Sequence, residues 1–188
     1  MKKIIYFTTV LFISLTIFSC IDNDDDGLIP QVINEEEVIS TVQITLTNTV
    51  DGEVIVLRSV DTDGEGGDEP VITVSDNLDA NTNYTSRIQF LNETVSPAEN
   101  ITEEVEEEAL EHQIIFTVQT SLDTNITYSN FDSNGNPLGT EIALVTGNPS
   151  AGNITVTLRH EPSKPNDGTL NGAGGETDAQ VVFPVIIE

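Results

Sequence analysis

The stretch Val42-Gln43-Ile44-Thr45-Leu46 decides the fold, because its apolar residues recur at every second position. This spacing is typical of a half-buried β-strand, whose successive side chains point to opposite faces of a sheet. Threonine, which is β-branched and polar, fills many of the intervening positions along the chain. The same alternation returns at Val54 and Val56, or alternatively Ile55 and Leu57, and then at Ile88, Phe90, Ile114, Phe116, Val118, Ile126, Tyr128, Ile142, Leu144, Ile154, Val156, Leu158, Val181, Phe183, Val185 and Ile187.

Turn-forming residues separate these runs at short intervals. They include Asp51-Gly52, Asn134-Gly135, Gly147-Asn148-Pro149 and Asn166-Asp167-Gly168. Many short strands joined by turns predict an all-β fold, an antiparallel β-sandwich. We assign residues 38–188 to one such domain, since the chain is too short for two full cores.

One local motif refines this prediction to an Ig-like or fibronectin III-like sandwich. The segment Leu78-Asp79-Ala80-Asn81-Thr82-Asn83-Tyr84 resembles the Leu-x-Pro-x-Thr-x-Tyr signature of fibronectin type III domains, with Ala80 where proline is usual. The resemblance implies a tyrosine corner, in which the Tyr84 hydroxyl bonds back to the backbone upstream while its ring packs inward. The alternative is an ordinary half-buried strand tyrosine.

The strand pattern is interrupted between residues 98 and 111. Ile101, Val105 and Ala109 are four residues apart, which would place them on one face of a helix. Glutamates at the same spacing repel one another and weaken an isolated helix. This region is therefore expected to form a short helix or an ordered acidic loop.

The N-terminus has the pattern of a bacterial lipoprotein signal peptide. Lys2 and Lys3 precede an apolar run that ends at Phe18, and Ser19 precedes Cys20, the single cysteine. Residues 1–19 are thus a predicted signal peptide, and Cys20 is the predicted lipidation site that anchors the chain to the outer membrane. Residues 20–37 are a predicted disordered acidic tether, because like charges repel one another and bury nothing.

The acidic run after Cys20 indicates which membrane face carries the protein. Residues 21–27 read Ile-Asp-Asn-Asp-Asp-Asp-Gly. They resemble the segment that follows the lipidated cysteine in Bacteroidota lipoproteins exported to the outer face of the outer membrane. The resemblance implies surface exposure, with a periplasm-facing attachment as the alternative.

Charge excludes several classes of partner. Loss of Lys2 and Lys3 with the signal peptide changes the net charge from −26 to −28, so that four cations face 32 acids. Nucleic-acid binding requires basic clusters, and none occurs. Peripheral contact with anionic lipid is also disfavoured. A single cysteine allows no internal disulfide, so stability must come from the core, with or without bound cations.

The two histidines are candidate metal ligands. His112 and His160 each follow or precede a glutamate at the end of a predicted strand. If the two strands are neighbours, the imidazoles would share one zinc or copper ion. The alternative is that both are exposed polar residues at strand ends.

A glycine-rich acidic loop is the predicted calcium site. Asp61, Asp63, Glu65, Asp68 and Glu69 offer the oxygen ligands that calcium prefers. The loop starts like an EF-hand, but Ile72 stands where the bidentate glutamate is required. The long segment between Glu161 and Asp178 is a further candidate, since long connections are usually functional or disordered.

Sequence motifs for catalysis are absent. The chain has no Gly-x-Ser-x-Gly elbow, no His-Glu-x-x-His pair and no phosphate-binding glycine loop. We therefore predict a protein that is not an enzyme.

The mature chain resembles a family of small flavobacterial outer-membrane lipoproteins. The similarity is carried by residues 92–99, 111–113, 132–135 and 159–168. Some family names imply a type 1 periplasmic-binding fold, which the strand pattern here contradicts. The resemblance implies an accessory of a TonB-dependent uptake receptor, that is, a non-catalytic binding module. The alternative is a structural or adhesion lipoprotein with calcium-stabilised loops.

Overall fold

The computed structural model describes residues 37–64 and 67–188. The predicted signal peptide, Cys20 and most of the tether lie outside this range, as does Glu65 of the predicted calcium loop.

The described chain consists of ten strands and two short helices. In chain order they are β1 (Thr41–Asn48), β2 (Val54–Val60), β3 (Val71–Val74), β4 (Asn83–Asn92), β5 (Glu99–Asn100), α1 (Ile101–Glu107), β6 (His112–Val118), β7 (Thr124–Tyr128), β8 (Glu141–Thr146), β9 (Ser150–His160), α2 (Leu170–Ala173) and β10 (Glu176–Ile187).

The strands form two antiparallel sheets. The larger sheet has the order β3-β2-β1-β4-β8-β7, with β5 paired to β4, and the smaller sheet has the order β10-β9-β6. Their facing sides share one core, to which the alternating residues of both sheets contribute, including Ile44, Phe90, Leu158 and Phe183. The prediction of an all-β antiparallel sandwich is confirmed.

The helix expected between residues 98 and 111 is present as α1. Ile101 and Val105 are buried in the core and Ala109 packs against it, as their spacing predicts. The strands β3 and β5 and the single turn of α2 were not predicted. They are short, and β3 is a half-exposed edge strand whose Val71 is 63% exposed, so it lacks a strong buried alternation.

Tyr84 makes the contact expected of a tyrosine corner. Its side chain is buried, and its hydroxyl oxygen accepts a hydrogen bond of 2.8 Å from the backbone N–H of Asp79. This contact fixes the turn that leads into β4, the strand that pairs with β1 and β8.

The connection from β9 to β10 covers the outer face of the smaller sheet. Ile115 points away from the shared core, yet it is fully buried. Asn166 donates a hydrogen bond of 2.7 Å to Gln113, which lies on the same outer face, and Ala173 is also buried. The loop of residues 161–175 therefore covers the part of the outer face around Gln113 and Ile115, whereas Val182 and Ile186 of β10 stay 44% and 49% exposed.

In the described part of the chain, neither helix has the length or apolar character needed to cross a membrane.

Candidate metal centre

The structure places His112 and His160 side by side. His112 is the first residue of β6 and His160 the last residue of β9, and the two are direct partners in the antiparallel register. Each histidine continues the inward-facing row of its strand, the first with Ile114 and the second with Leu158. Their ring centroids are 4.8 Å apart. The two strands are therefore neighbours, which is the condition under which the two imidazoles were expected to share one metal ion.

A β-bulge brings Asp178 to the same place. In β10, Glu176 pairs with His160 and Thr177 with Arg159, but the register then shifts between Thr177 and Ala179. The bulge leaves Asp178 as an extra residue in the ladder, and such bulges commonly redirect a side chain. Its Oδ2 lies 3.8 Å from Nε2 of His112 and 3.8 Å from Nδ1 of His160.

Glu37 completes the cluster from the opposite sheet. It lies in the segment that leads into β1, and its Oε1 is 3.8 Å from Nε2 of His112. Ligand atoms of Glu37, His112, His160 and Asp178 all lie within 4.8 Å of one another. We call these four residues the metal cluster.

The metal cluster is buried and poorly satisfied by hydrogen bonds. The side chains are exposed by 6% for Glu37, 0% for His112, 12% for His160 and 14% for Asp178. Glu37 Oε1, His112 Nε2 and Asp178 Oδ2 are buried without a hydrogen-bond partner. Buried polar atoms in native proteins are nearly always paired. Three such atoms that face one another are therefore candidate ligands for a cation.

The other nitrogen of His112 prepares the ring for a metal. Its Nδ1 lies 3.3 Å from the carbonyl oxygen of Glu108, to which the Nδ1–H donates. The lone pair is then on Nε2, the atom that faces Glu37 and Asp178. A ligating histidine typically has such a hydrogen bond behind it, which fixes its tautomer and orientation.

Burial changes the acidity of Asp178. Desolvation raises the pKa of this carboxyl group to about 6, against the opposing effect of His160 and with a further increase from Glu37. The carboxylate is thus costly to ionise in the metal-free protein, and a bound cation would offset that cost.

The donor set suits a transition metal better than calcium. Two imidazole nitrogens and two carboxylate oxygens are ligands for zinc or copper, whereas calcium takes oxygen ligands almost exclusively. Three of the separations between ligand atoms are 3.8 Å, and the others are within 4.8 Å. A tetrahedron with edges of 3.8 Å has its corners about 2.3 Å from its centre, against the roughly 2.0–2.2 Å of zinc bonds, so the ligand atoms would move closer together on binding an ion.

Further acidic groups surround the metal cluster. Glu104 and Glu108 converge on Glu37, and Glu111 and Glu161 converge on His160. Burial, followed by the charges of Glu37 and Glu108, raises the pKa of Glu104. The negative charge of these outer carboxylates therefore adds to the attraction that the four residues of the metal cluster exert on a cation.

The acidic loop predicted to bind calcium has a different arrangement. Asp61 accepts a hydrogen bond from the N–H of Gly64, and Asp63 accepts one from the N–H of Asp68. Among the described residues, the converging metal-ligand groups include none of Asp61, Asp63, Asp68 and Glu69. Because Glu65 lies outside the described residues, calcium binding by this loop stays a prediction.

Sequence reasoning found half of the metal cluster. The sequence pattern indicates His112 and His160 as candidate ligands. Glu37, in contrast, falls in the predicted tether, and Asp178 ends a segment predicted as a possible calcium site. One available signal is that both histidines take the next inward position of an apolar row, where a polar residue needs a partner. That signal points to a buried site, although it does not identify the two carboxylates.

The chain was compared with protein-family models, curated proteins and solved structures, and none of them matches it.

Proposed function

We propose that this domain binds one divalent transition-metal ion, zinc or copper(II), through Glu37, His112, His160 and Asp178. The supporting observation is the fully buried Nε2 of His112, which has no hydrogen-bond partner and faces two equally unpartnered carboxylate oxygens. A dication at their centre would satisfy all three atoms at once. No arrangement of hydrogen bonds within the cluster does so at separations of 3.8 Å.

The proposed role is binding rather than catalysis. Catalytic zinc sites keep a coordination position open to substrate, whereas closed four-ligand sites are structural. Here all four side chains are at most 14% exposed. A surface groove of about 490 Å³, lined by residues that include Val74, Asn153 and Ile186, contains none of the four.

Zinc is expected to stabilise the mature protein strongly. At free zinc one hundred times the dissociation constant, mass action adds about 2.7 kcal/mol to the free energy of unfolding. For a domain of this size, that raises the melting temperature by roughly 5–10 °C. Isothermal titration should give one ion per chain, and thermal melts at fixed ionic strength should show the shift.

Matched variants localise this effect. His160→Gln should remove the zinc response, while Glu107→Gln, an exposed change of one charge on α1, should retain it. If neither zinc nor copper(II) shifts the melting temperature more than magnesium does, the proposal is contradicted, as it is by an unchanged response in His160→Gln. A calcium shift kept in His160→Gln but lost in Asp61→Asn/Asp63→Asn would instead support the loop of residues 61–69.

For the cellular setting we propose a lipid-anchored binding module at the outer membrane, facing outward and serving a TonB-dependent receptor. The proposal is supported by the signal-peptide pattern before Cys20, by the acidic run after it and by the resemblance to flavobacterial lipoproteins. The Ig-like character of the sandwich belongs to the same proposal and is supported by the Tyr84 corner.

Cys20→Ala tests the anchor. Because lipidation requires the thiol, the variant should leave the membrane fraction and appear in the soluble fraction after export. Cell fractionation with immunoblotting measures this, with the parent protein as control. Unchanged membrane association would show that the anchor lies elsewhere.

A further inference from the structure

The ligands of the metal cluster come from two differently held parts of the fold. His112, His160 and Asp178 are on the adjacent strands β6, β9 and β10, which hydrogen bonds hold in register. Glu37 comes from the irregular segment that enters β1 in the other sheet. Three ligands are therefore fixed by one ladder, and the fourth depends on how the N-terminal segment lies.

Before Ser40, little else holds that segment in the described structure. From this end of the described chain, the first backbone hydrogen bond outside the strands is the one from Ser40 N to Leu91 O. Val38 is 56% exposed, and Ile39 packs only partly against the core. The carboxylate of Glu37 is nevertheless 94% buried. Ser40, the last residue before β1, is held separately by hydrogen bonds with Leu91, Asp61 and Glu93. Burial of the Glu37 side chain is thus the main contact of the part that precedes it, residues 37–39.

Without a cation, the surrounding charges oppose this insertion. Asp178, Glu104 and Glu108 all have carboxylate oxygens near Glu37, and the nearest imidazole is that of His112. Like charges in a partly desolvated site repel one another strongly. A dication held by His112, His160 and Asp178 would reverse the sign of the interaction with Glu37.

We propose that the bound metal acts as a clip that docks Glu37, and with it the N-terminal segment, onto the ligand-bearing sheet. Metal occupancy then determines where the chain that leads to the lipid anchor leaves the domain. The inference rests on the proposed metal binding. By linkage, docking of Glu37 raises metal affinity by the same factor by which metal favours docking.

Hydrogen exchange on the full mature chain in detergent tests the clip. With saturating zinc, the amides of residues 38 and 39 should exchange at least about tenfold more slowly than in the metal-free protein. Magnesium at the same ionic strength should have no such effect. Amides in the centre of β9 serve as the internal reference, since that strand is paired on both sides in either state.

The variant Glu37→Gln tests whether the carboxylate of Glu37 is what links metal binding to protection of the N-terminal segment. It keeps the side-chain shape and removes the charge, so zinc affinity should fall at least about tenfold and zinc should no longer protect residues 38 and 39. Glu104→Gln removes a neighbouring charge outside the metal cluster and should keep the protection.

The outcomes distinguish the two proposals. If zinc binds without slowing exchange at residues 38 and 39, the clip is wrong while metal binding stands. The same holds if Glu37→Gln keeps full protection. If neither zinc nor copper(II) binds, the proposed function is wrong and the clip with it.

Discussion

Replacing Lys164 by methionine is expected to destabilise the domain by about 3–5 kcal/mol, the usual cost of breaking a buried ion pair. The Lys164 ammonium donates to the carbonyl oxygens of Ala109 and His112 at 2.7 and 2.5 Å, and to Asp132 Oδ2 at 3.2 Å. The Lys164 side chain is 6% exposed and that of Asp132 is 0% exposed. Methionine would leave a buried carboxylate and two carbonyl groups without this donor.

Two comparisons make the Lys164 test specific. Arg87→Met breaks exposed ion pairs with Glu106 and Glu141 and should cost less than about 1 kcal/mol. Lys164→Met/Asp132→Asn removes the uncompensated charge and should recover part of the loss. Chemical denaturation of the metal-free proteins measures all three. Equal losses for Lys164→Met and Arg87→Met would show that the buried pair has no special importance.

Asp178→Asn is expected to change stability in opposite directions with and without metal. In the metal-free protein at pH 7, asparagine removes a buried, unpartnered charge near Glu37. A pKa of about 6 corresponds to at most about 3 kcal/mol for ionising this carboxyl group in the folded protein. The free energy of unfolding of the metal-free variant should therefore be higher than that of the parent by about 1–2 kcal/mol. With zinc at one hundred times its dissociation constant, the variant should instead lack the roughly 2.7 kcal/mol of metal stabilisation.

The pH dependence gives an independent check on Asp178. Its pKa is raised in the folded protein, so the folded state binds a proton more readily than the unfolded chain. This contribution to stability is fully present below about pH 4 and is lost as the pH rises through about 6. The difference in free energy of unfolding between the metal-free parent and Asp178→Asn should therefore change only between about pH 4 and 6, where the parent loses stability relative to the variant as the pH rises. A parent and variant with parallel pH profiles would contradict the burial of an ionised Asp178.

The fold could be predicted from the sequence because its cause is local. Alternation such as that of Val42, Ile44 and Leu46 can be read without knowing any partner strand, and the structure buries all three. The helix α1 followed similarly from Ile101 and Val105. The edge strand β3 was missed because an edge strand with exposed apolar residues has no buried face to create a pattern.

The metal cluster was only half predictable because its other half depends on long-range geometry. Asp178 faces inward through a bulge whose position is set by pairing with β9. Glu37 stands among acids that read as a solvated tether, and only the folded chain shows its carboxylate inside the domain. Lys164 likewise reads as a surface residue until the loop after β9 is placed against β6.

The bulge at Asp178 separates the proposed metal binding from folding within one strand, because only the bulged residue is a proposed ligand. Beyond it, Phe183, Val185 and Ile187 keep strict alternation and fill the core, while the extra residue alone redirects a carboxylate. Deletion of a single residue there would restore a plain ladder and remove a ligand without altering the packing of the rest of β10. A sandwich of this kind could therefore gain an ion-binding site by inserting one residue and lose it by deleting that residue. Insertion of a bulge of this type is also a small change by which protein designers could add a metal ligand to a strand.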